Sequence, residues 1–177
     1  DAAMKALAER QLRRLPELEH VTVVDADGLM VGGTRVRRDD RVSVADRDYF
    51  AFHRDQPDGG LYVSRTVMGR VIKKHLVPFV RRYNHPDGRF AGVVVATFDP
   101  EYFTAKFRTA MYAADVWAVV VHGDGRQFLN YPVKSANGGN LDVPGSFLRR
   151  FRDSGYQAGV LSGVEIAGAS PRVMAMA

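Results

Sequence analysis

The residue types that most often carry chemistry are present in this 177-residue sequence, but their spacing does not fit catalysis or metal binding. The five histidines show no short His-x₃-His spacing, and there is no cysteine to complete a zinc site. Asp25 and Asp27 could open a calcium loop, but Val36 stands where that loop requires a glutamate. There is also no phosphate-binding loop and no Gly-x-Ser-x-Gly motif. The sequence therefore predicts no catalytic residue, no metal site and no cofactor.

The charge and hydropathy patterns exclude two further classes. The formal net charge is +5, but the arginines form scattered doublets, which is typical of solvated faces and argues against a nucleic-acid surface. The longest apolar runs, Val93–Phe98 and Val116–Val121, are far shorter than the ~20 residues of a membrane helix. We therefore expect a soluble domain, and the lack of cysteine suits either the cytoplasm or the periplasm.

The chain contains an internal repeat. Residues 21–31 and 118–128 each consist of an apolar run, an Asp-Gly turn and a second run, with Asp27 and Asp124 97 positions apart. His-Arg-Asp at 53–55 then matches Phe-Arg-Asp at 151–153, and a looser match follows at an offset of 99. Three matches in order at nearly constant spacing predict two copies of one fold.

The first copy predicts an antiparallel sheet with helices. Asp27-Gly28 provides the turn of a hairpin, and Asp46 is the expected N-cap of a short helix from Arg47 to about Arg54. Asp99 and Pro100 should open a further helix, which runs to about Tyr112. The remaining strands are expected at residues 61–67, 71–83 and 90–98.

The predicted fold class is thus α+β, with two lobes that each contain an antiparallel sheet of about five strands and flanking helices. The predicted organisation is an N-terminal helix at residues 1–16, a first lobe with its connecting helix at 17–112, and a second lobe at 113–177. Both ends of the sequence look cut from a longer protein, and the second lobe looks C-terminally truncated.

Three segments carry a resemblance to a known family: Asp-Arg-Asp-Tyr-Phe at 46–50, Asp-Gly-Gly-Leu-Tyr-Val-Ser at 58–64, and residues 77–96. Together they resemble the double-Cache family of PAS-like extracytoplasmic sensor domains from bacterial histidine kinases, diguanylate cyclases and chemoreceptors. The resemblance implies a long N-terminal helix leaving the membrane, a membrane-distal lobe that holds the ligand, and a membrane-proximal lobe. It also implies a periplasmic location, a membrane-anchored parent protein and a homodimer, with no enzymatic activity in this fragment.

In members of that family that bind amino acids, an Arg-x-aromatic-aromatic motif holds the carboxylate, and an acidic residue at a strand end holds the amine. Arg47, Tyr49 and Phe50 match the motif, whereas Thr97 stands at the acidic position, which disfavours an α-amino acid ligand. The residues that we expect to contact ligand are cationic or aromatic: Arg47, Tyr49, Phe50, Tyr62, Arg65 and His75. Because an Arg fork matches a carboxylate, the expected ligand is a small organic anion.

Two alternatives remain open from the sequence. Arg47 could pair with Asp48, and Tyr49 and Phe50 could belong to the core. The chain would then be a PAS-type regulatory or interaction domain without a small-molecule ligand. An enzyme is a distant third possibility.

Overall fold

A computed structural model describes residues 2–36, 38–111, 118–131, 140–155, 159–164 and 172–176. The chain divides into two compact units, Asp1–Ala110 and Met111–Ala177. No helix among the described residues is both long and apolar enough to cross a bilayer.

The first unit contains one antiparallel sheet, three α-helices and a short 3₁₀ helix at Arg38–Asp40. The strand order is β2-β1-β6-β5-β3, and β4 also pairs with β5. The elements are α1 (Ala2–Arg14), β1 (Leu18–Asp25), β2 (Met30–Gly33), α2 (Asp48–Asp55), β3 (Leu61–Val63), β4 (Val67–Met68), β5 (His75–Asn84), β6 (Phe90–Phe98) and α3 (Pro100–Ala110).

The hairpin predicted at Asp27-Gly28 is confirmed. The carboxylate Oδ1 of Asp25 accepts hydrogen bonds from the backbone N–H groups of Asp27 (3.0 Å) and Leu29 (2.9 Å). Gly28 has φ +81°, a left-handed conformation that glycine adopts without steric cost. The turn therefore follows from local sequence alone.

One face of the sheet has a packed core at one end and a cavity at the other. We call the cavity end, which contains His20, Thr22, Val95 and Thr97, the open region of the sheet. The cross-strand pairs Val24↔Val93 and Thr22↔Val95 place alternate residues of β1 and β6 side by side on that face. At one end of the face, Val24, Val93 and Val80 are fully buried against Phe50 of α2. Burial of each such side chain contributes about 1.5–3 kcal/mol. This packing fixes α2 over the sheet.

The start of α2 differs from the prediction. Its N-cap is Arg47, which has extended backbone angles and makes no side-chain cap hydrogen bond. Asp46 does not cap the helix, because its carboxylate is paired with the Arg70 guanidinium at 2.6 Å. At the start of α3, Asp99 acts as predicted, since its Oδ1 accepts the backbone N–H of Glu101 at 2.9 Å. The predicted end of that helix, Tyr112, lies outside the described residues.

The segment between β3 and β5 is less regular than the two long strands predicted there. The first of them is divided into β3 and β4, and β5 begins at His75 instead of residue 71. The cause is a tight turn before β5, where Lys73 has φ +48° and the backbone N–H of Gly69 donates to the carbonyl of Lys74. We call residues 67–74 the covering segment, because residues 67–71 form one side of a cavity on this sheet.

The second unit contains two separate strand pairs and one described helix. β7 pairs with β8, and β9 pairs with β10. The elements are β7 (Ala118–Val121), β8 (Gln127–Tyr131), α4 (Phe147–Asp153), β9 (Gly159–Val164) and β10 (Arg172–Met176).

The second unit repeats the hydrogen bonds of the first hairpin. The N–H of Gly28 donates to the carbonyl of Asp25, and the N–H of Gly125 donates to that of His122. The carbonyls of these two glycines in turn accept the N–H groups of Val44 and Leu141. The φ angles of Gly28 and Gly125 are +81° and +84°. The sequence repeat at an offset of 97 is therefore also a repeat of backbone structure.

Candidate ligand-binding site

A cavity lies over the open region of the sheet, between α2 and the covering segment. The space in it that is wide enough for the centre of a water molecule is only about 30 Å³, and the cavity is partly open to solvent. Most of its wall is apolar: Met30, Val44, Val67, Met68, Val71, Leu76, Pro78 and Val95. The polar wall residues are His20, Thr22, Arg47, Tyr49, Arg70 and Thr97. No Asp or Glu is among these described wall residues.

The N-terminus of α2 supplies the cationic side of the cavity. The backbone of Arg47 is held by its N–H, which donates to Val44, and by its carbonyl, which accepts from Phe50. The Arg47 Nη2 atom donates to the Met68 carbonyl at 2.9 Å, so the side chain is bonded to the covering segment. Its Nε atom is buried and has no hydrogen-bond partner among the described residues. One donor of this cation is therefore unused.

Tyr49 lies beside Arg47 on the same wall. Its side chain is buried, and burial raises the pKa of its phenol to about 12. At neutral pH the hydroxyl is therefore protonated and can donate a hydrogen bond. Together, Arg47 and Tyr49 offer two donors and no negative charge.

The sheet supplies a second polar region. His20 and Thr97 are directly opposite each other on β1 and β6, and the Thr97 Oγ1 atom lies 2.6 Å from Nδ1 of His20. Burial, together with the positive charge of Arg35, lowers the pKa of His20 to about 4, so the ring is neutral near pH 7. Thr22, next on the same face, is fully buried, and its Oγ1 atom has no partner among the described residues.

The covering segment is fastened at three points. The bond from Arg47 to Met68 is the first. Arg70 makes the second, because it donates to the carbonyl of Ser43 and to the carboxylate of Asp46. The third is Lys74, which donates to carboxylates of Glu19 and Asp99.

The Lys74 ion pairs connect the covering segment with β1 and with the start of α3. Burial alone would raise the pKa of the Asp99 carboxyl, but the hydrogen bonds from Lys74 and from the Glu101 backbone, together with the charge of Lys74, outweigh it and the pKa is lowered. The pKa of Lys74 is raised by its hydrogen bonds to Asp99 and Glu19. Both shifts show that the charged forms are favoured in the folded state.

The structure brings two of the six predicted ligand residues to the cavity wall, Arg47 and Tyr49. Phe50 is buried in the core, where it contacts the ring of Phe90. The other three, Tyr62, Arg65 and His75, are not among the wall residues. The ring of Tyr62 packs on Phe52, with centroids 4.6 Å apart.

Sequence reasoning missed His20, Thr22 and Arg70. A signal for the first two was available, because period-two alternation along β1 places His20 and Thr22 on one face with Val24. No local signal identifies Arg70, which reaches the wall through a turn. Arg47 also does not pair as considered from sequence, since its guanidinium donates to the Met68 carbonyl.

Solved structures similar to this chain include extracellular domains and a ligand-binding domain. The extracellular domain of rpHK1S-Z16, assigned as a histidine kinase, matches with a TM-score of 0.79 and 24% identity over 99% of this chain and 71% of that chain. An extracellular ligand-binding receptor from Desulfohalobium retbaense matches with a TM-score of 0.65 and 15% identity, over 96% of this chain but only 32% of its own length. The ligand-binding domain of the Pseudomonas fluorescens chemoreceptor CtaA, in complex with L-serine, matches with a TM-score of 0.62 and 13% identity over 97% of this chain and 70% of that chain. No protein-family model and no curated protein sequence matches this chain.

The fold is therefore that of extracellular sensor and ligand-binding domains: α+β, with an antiparallel sheet and flanking helices. The extracellular location of such domains agrees with the periplasmic location expected from the sequence.

Proposed function

We propose that this chain is the ligand-sensing part of a bacterial membrane receptor, and that the first unit binds a small anion in the cavity beside Arg47. The observation that carries the proposal is the Arg47 Nε donor, which is buried without a partner among the described residues, at a wall whose described residues include no carboxylate. A buried donor without a partner costs about 1–3 kcal/mol. An oxyanion at this position would remove that cost and gain a charge-assisted hydrogen bond.

The wall favours a carboxylate attached to a small carbon body. Arg provides a planar pair of donors that fits a carboxylate, Tyr49 adds a neutral donor, and the remaining wall is mainly apolar. Such a mixture of an apolar lining with few convergent polar groups is typical of small-molecule sites. The CtaA domain holds L-serine. An α-amino acid suits this cavity less well, because its ammonium group would meet no carboxylate on the described wall.

The proposed organisation of the receptor extends beyond the described contacts. We infer that the two units are tandem PAS-like lobes of the double-Cache type, since their hairpins share the same backbone hydrogen bonds. In this arrangement residues 17–112 are the membrane-distal, ligand-holding lobe and residues 113–177 the membrane-proximal lobe. The parent protein is anchored in the inner membrane, dimerises, and carries a histidine kinase or diguanylate cyclase output.

Binding of organic acids, measured by thermal shift and then by calorimetry, tests the proposal. We expect small carboxylates to stabilise the protein, and Arg47→Ala to weaken their binding by about 10–100-fold, which corresponds to one lost charge-assisted hydrogen bond. Arg47→Lys should bind with intermediate affinity, because it keeps the charge but loses the planar fork. Arg108→Ala is the matched control, since Arg108 is an exposed arginine on α3 and its loss changes the net charge equally.

The result can also refute the proposal. If only uncharged or cationic compounds stabilise the protein, the cavity is not an anion site. If anions bind Arg47→Ala and the unaltered protein equally well, the site lies elsewhere. If no small molecule binds at all, a PAS-type regulatory or interaction domain without a ligand becomes the better account.

A further inference from the structure

The sheet side of the cavity contains polar groups that the proposed anion contact at Arg47 does not use. Thr22 is fully buried, lines the cavity, and has a hydroxyl oxygen without a partner. His20 is 4% exposed; its Nδ1 atom is occupied by Thr97, and no described residue bonds to its Nε2 atom. Buried polar atoms are nearly always hydrogen-bonded, so the buried, unpaired Thr22 hydroxyl on this wall indicates a bound partner, for which the adjacent His20 Nε2 atom offers a second contact.

The charge at this second region decides what kind of partner fits. The His20 ring is neutral near pH 7; the charge of Arg35 opposes an additional cation there more strongly than the charge of Glu19 favours it. A ligand ammonium would thus find only Glu19 as a counter-charge, and that carboxylate is already paired with Lys74. A second carboxylate is also disfavoured, because the charge of Arg70 is already balanced by its ion pair with Asp46. Among the described wall residues, Arg47 is the cation that has a buried donor without a partner.

We propose that the ligand is a small monocarboxylate bearing one uncharged hydroxyl or oxo group, with the carboxylate on Arg47 and the uncharged group hydrogen-bonded to Thr22 and His20. The inference rests on the proposed function and specifies its ligand class. A hydroxyl group can both donate and accept, and so can the Thr22 hydroxyl. A site built to bond such a group rejects the analogue that lacks it, because its own polar atoms then stay buried and unpaired.

The test uses acids with matched carbon skeletons and different second groups. Calorimetry at pH 7.5 compares lactate and pyruvate with propionate and alanine, and 3-hydroxybutyrate with butyrate and 3-aminobutyrate. We expect the hydroxy or oxo acid of at least one series to bind about 5–10-fold more tightly than both the unsubstituted acid and the amino acid of the same length.

Variants of Thr22 identify the group that makes the distinction. Thr22→Val removes the hydroxyl at nearly constant volume, and we expect it to abolish the preference for the hydroxy acid while leaving the affinity for the unsubstituted acid unchanged. Thr22→Ser keeps the hydroxyl and should keep the preference. If Thr22→Val folds poorly, Thr22→Ser still tests the proposal, because loss of the preference in this variant would contradict the role of the hydroxyl. Thr109→Val, on the exposed surface of α3, is the matched control and should bind all probes like the unaltered protein.

The outcomes separate this inference from the function on which it rests. If the unsubstituted acids bind as tightly as the hydroxy acids, or the amino acids bind most tightly, and binding still depends on Arg47, the anion site stands and the inference is overturned. An unchanged preference in Thr22→Val also overturns it. If no acid of the panel binds but other small anions bind in a way that depends on Arg47, the inference alone is overturned; if no small anion binds, the proposed function fails with it.

Discussion

Replacing Gly28 with alanine tests how the first hairpin positions the binding site. The carbonyl of Gly28 accepts the N–H of Val44, and the carbonyl of Val44 accepts the N–H of Arg47. The hairpin turn thus holds the segment that leads into α2. A Cβ atom added at Gly28 would lie 2.6 Å from Cβ of Ala45 and 2.7 Å from its Cα.

The magnitude follows from two terms. An alanine at φ +81° costs about 1–2 kcal/mol for its left-handed conformation. Carbon atoms normally rest about 3.5–4.0 Å apart, so the backbone at Ala45 must also move by about 1 Å. That movement strains or breaks the Val44 hydrogen bond, which adds about 1–2 kcal/mol. We therefore expect Gly28→Ala to destabilise the protein by about 3 kcal/mol.

Gly88→Ala provides a matched control, because Gly88 has φ +84° and no atom lies within 4 Å of its added Cβ. It should carry the conformational cost alone. Urea unfolding of both variants measures the difference, which we expect to be about 1–2 kcal/mol, and calorimetry should show weaker acid binding only in Gly28→Ala. If the two variants lose equal stability, the Gly28 turn does not pack as closely on Ala45 as described. The inference that this turn positions Arg47 would then be wrong.

Two further predictions concern charged groups. Lys74→Met should lower the free energy of unfolding by about 1 kcal/mol, a modest figure because the ion pairs with Glu19 and Asp99 are partly exposed. Thermal unfolding should show that this loss is smaller at high salt. The effects of Lys74→Met and Asp99→Asn should not be additive, because both remove the same ion pair. An equal loss at all salt concentrations would contradict an ionic role. The second prediction concerns His20, whose pKa is about 4 in the folded protein and 6.5 in the unfolded chain. As the pH falls, the unfolded chain therefore binds a proton before the folded protein does. Stability should thus fall as the pH drops from about 6.5 towards 4. His20→Gln should reduce the slope of unfolding free energy against pH over this window by roughly 1 kcal/mol per pH unit, and an unchanged slope would show that His20 is not the titrating group.

Elements with local signals could be predicted from the sequence. Asp27-Gly28 places the first turn because only a residue tolerant of positive φ fits there, and β6 follows from its continuous apolar run. The start of α3 follows from Asp99 and Pro100. The Asp99 side chain accepts a hydrogen bond from an otherwise unpaired backbone N–H of the first helical turn, and Pro100 has no backbone N–H to leave unpaired. The hairpin repeat at Gly125 follows by the same argument from the matching sequence 97 residues later.

The cavity wall could be predicted only in part. Arg47 and Tyr49 were found because they lie together in one short motif. The sequence predicts two long strands where the covering segment lies, because it contains no local signal for the turn that brings Arg70 to the wall. Nor does any local signal show that Arg70 pairs with Asp46, 24 residues earlier, so that Asp46 does not cap α2. Tertiary pairing of this kind overrides local propensity. For Tyr62, Arg65 and His75, strand position alone did not define which face or which end of the sheet they occupy.

The geometry also indicates how an occupied cavity would affect the rest of the first unit. The covering segment lines the cavity with residues such as Val71, and it ends at Lys74, which is bonded to Asp99 at the first turn of α3. A ligand changes a conformational equilibrium only by the difference in its affinity for the two states. The covering segment contacts the cavity on one side and a helix start on the other. If a bound acid favours one arrangement of this segment, the ion pair at Lys74 is the contact that connects the change to α3, the helix that ends where the first unit ends.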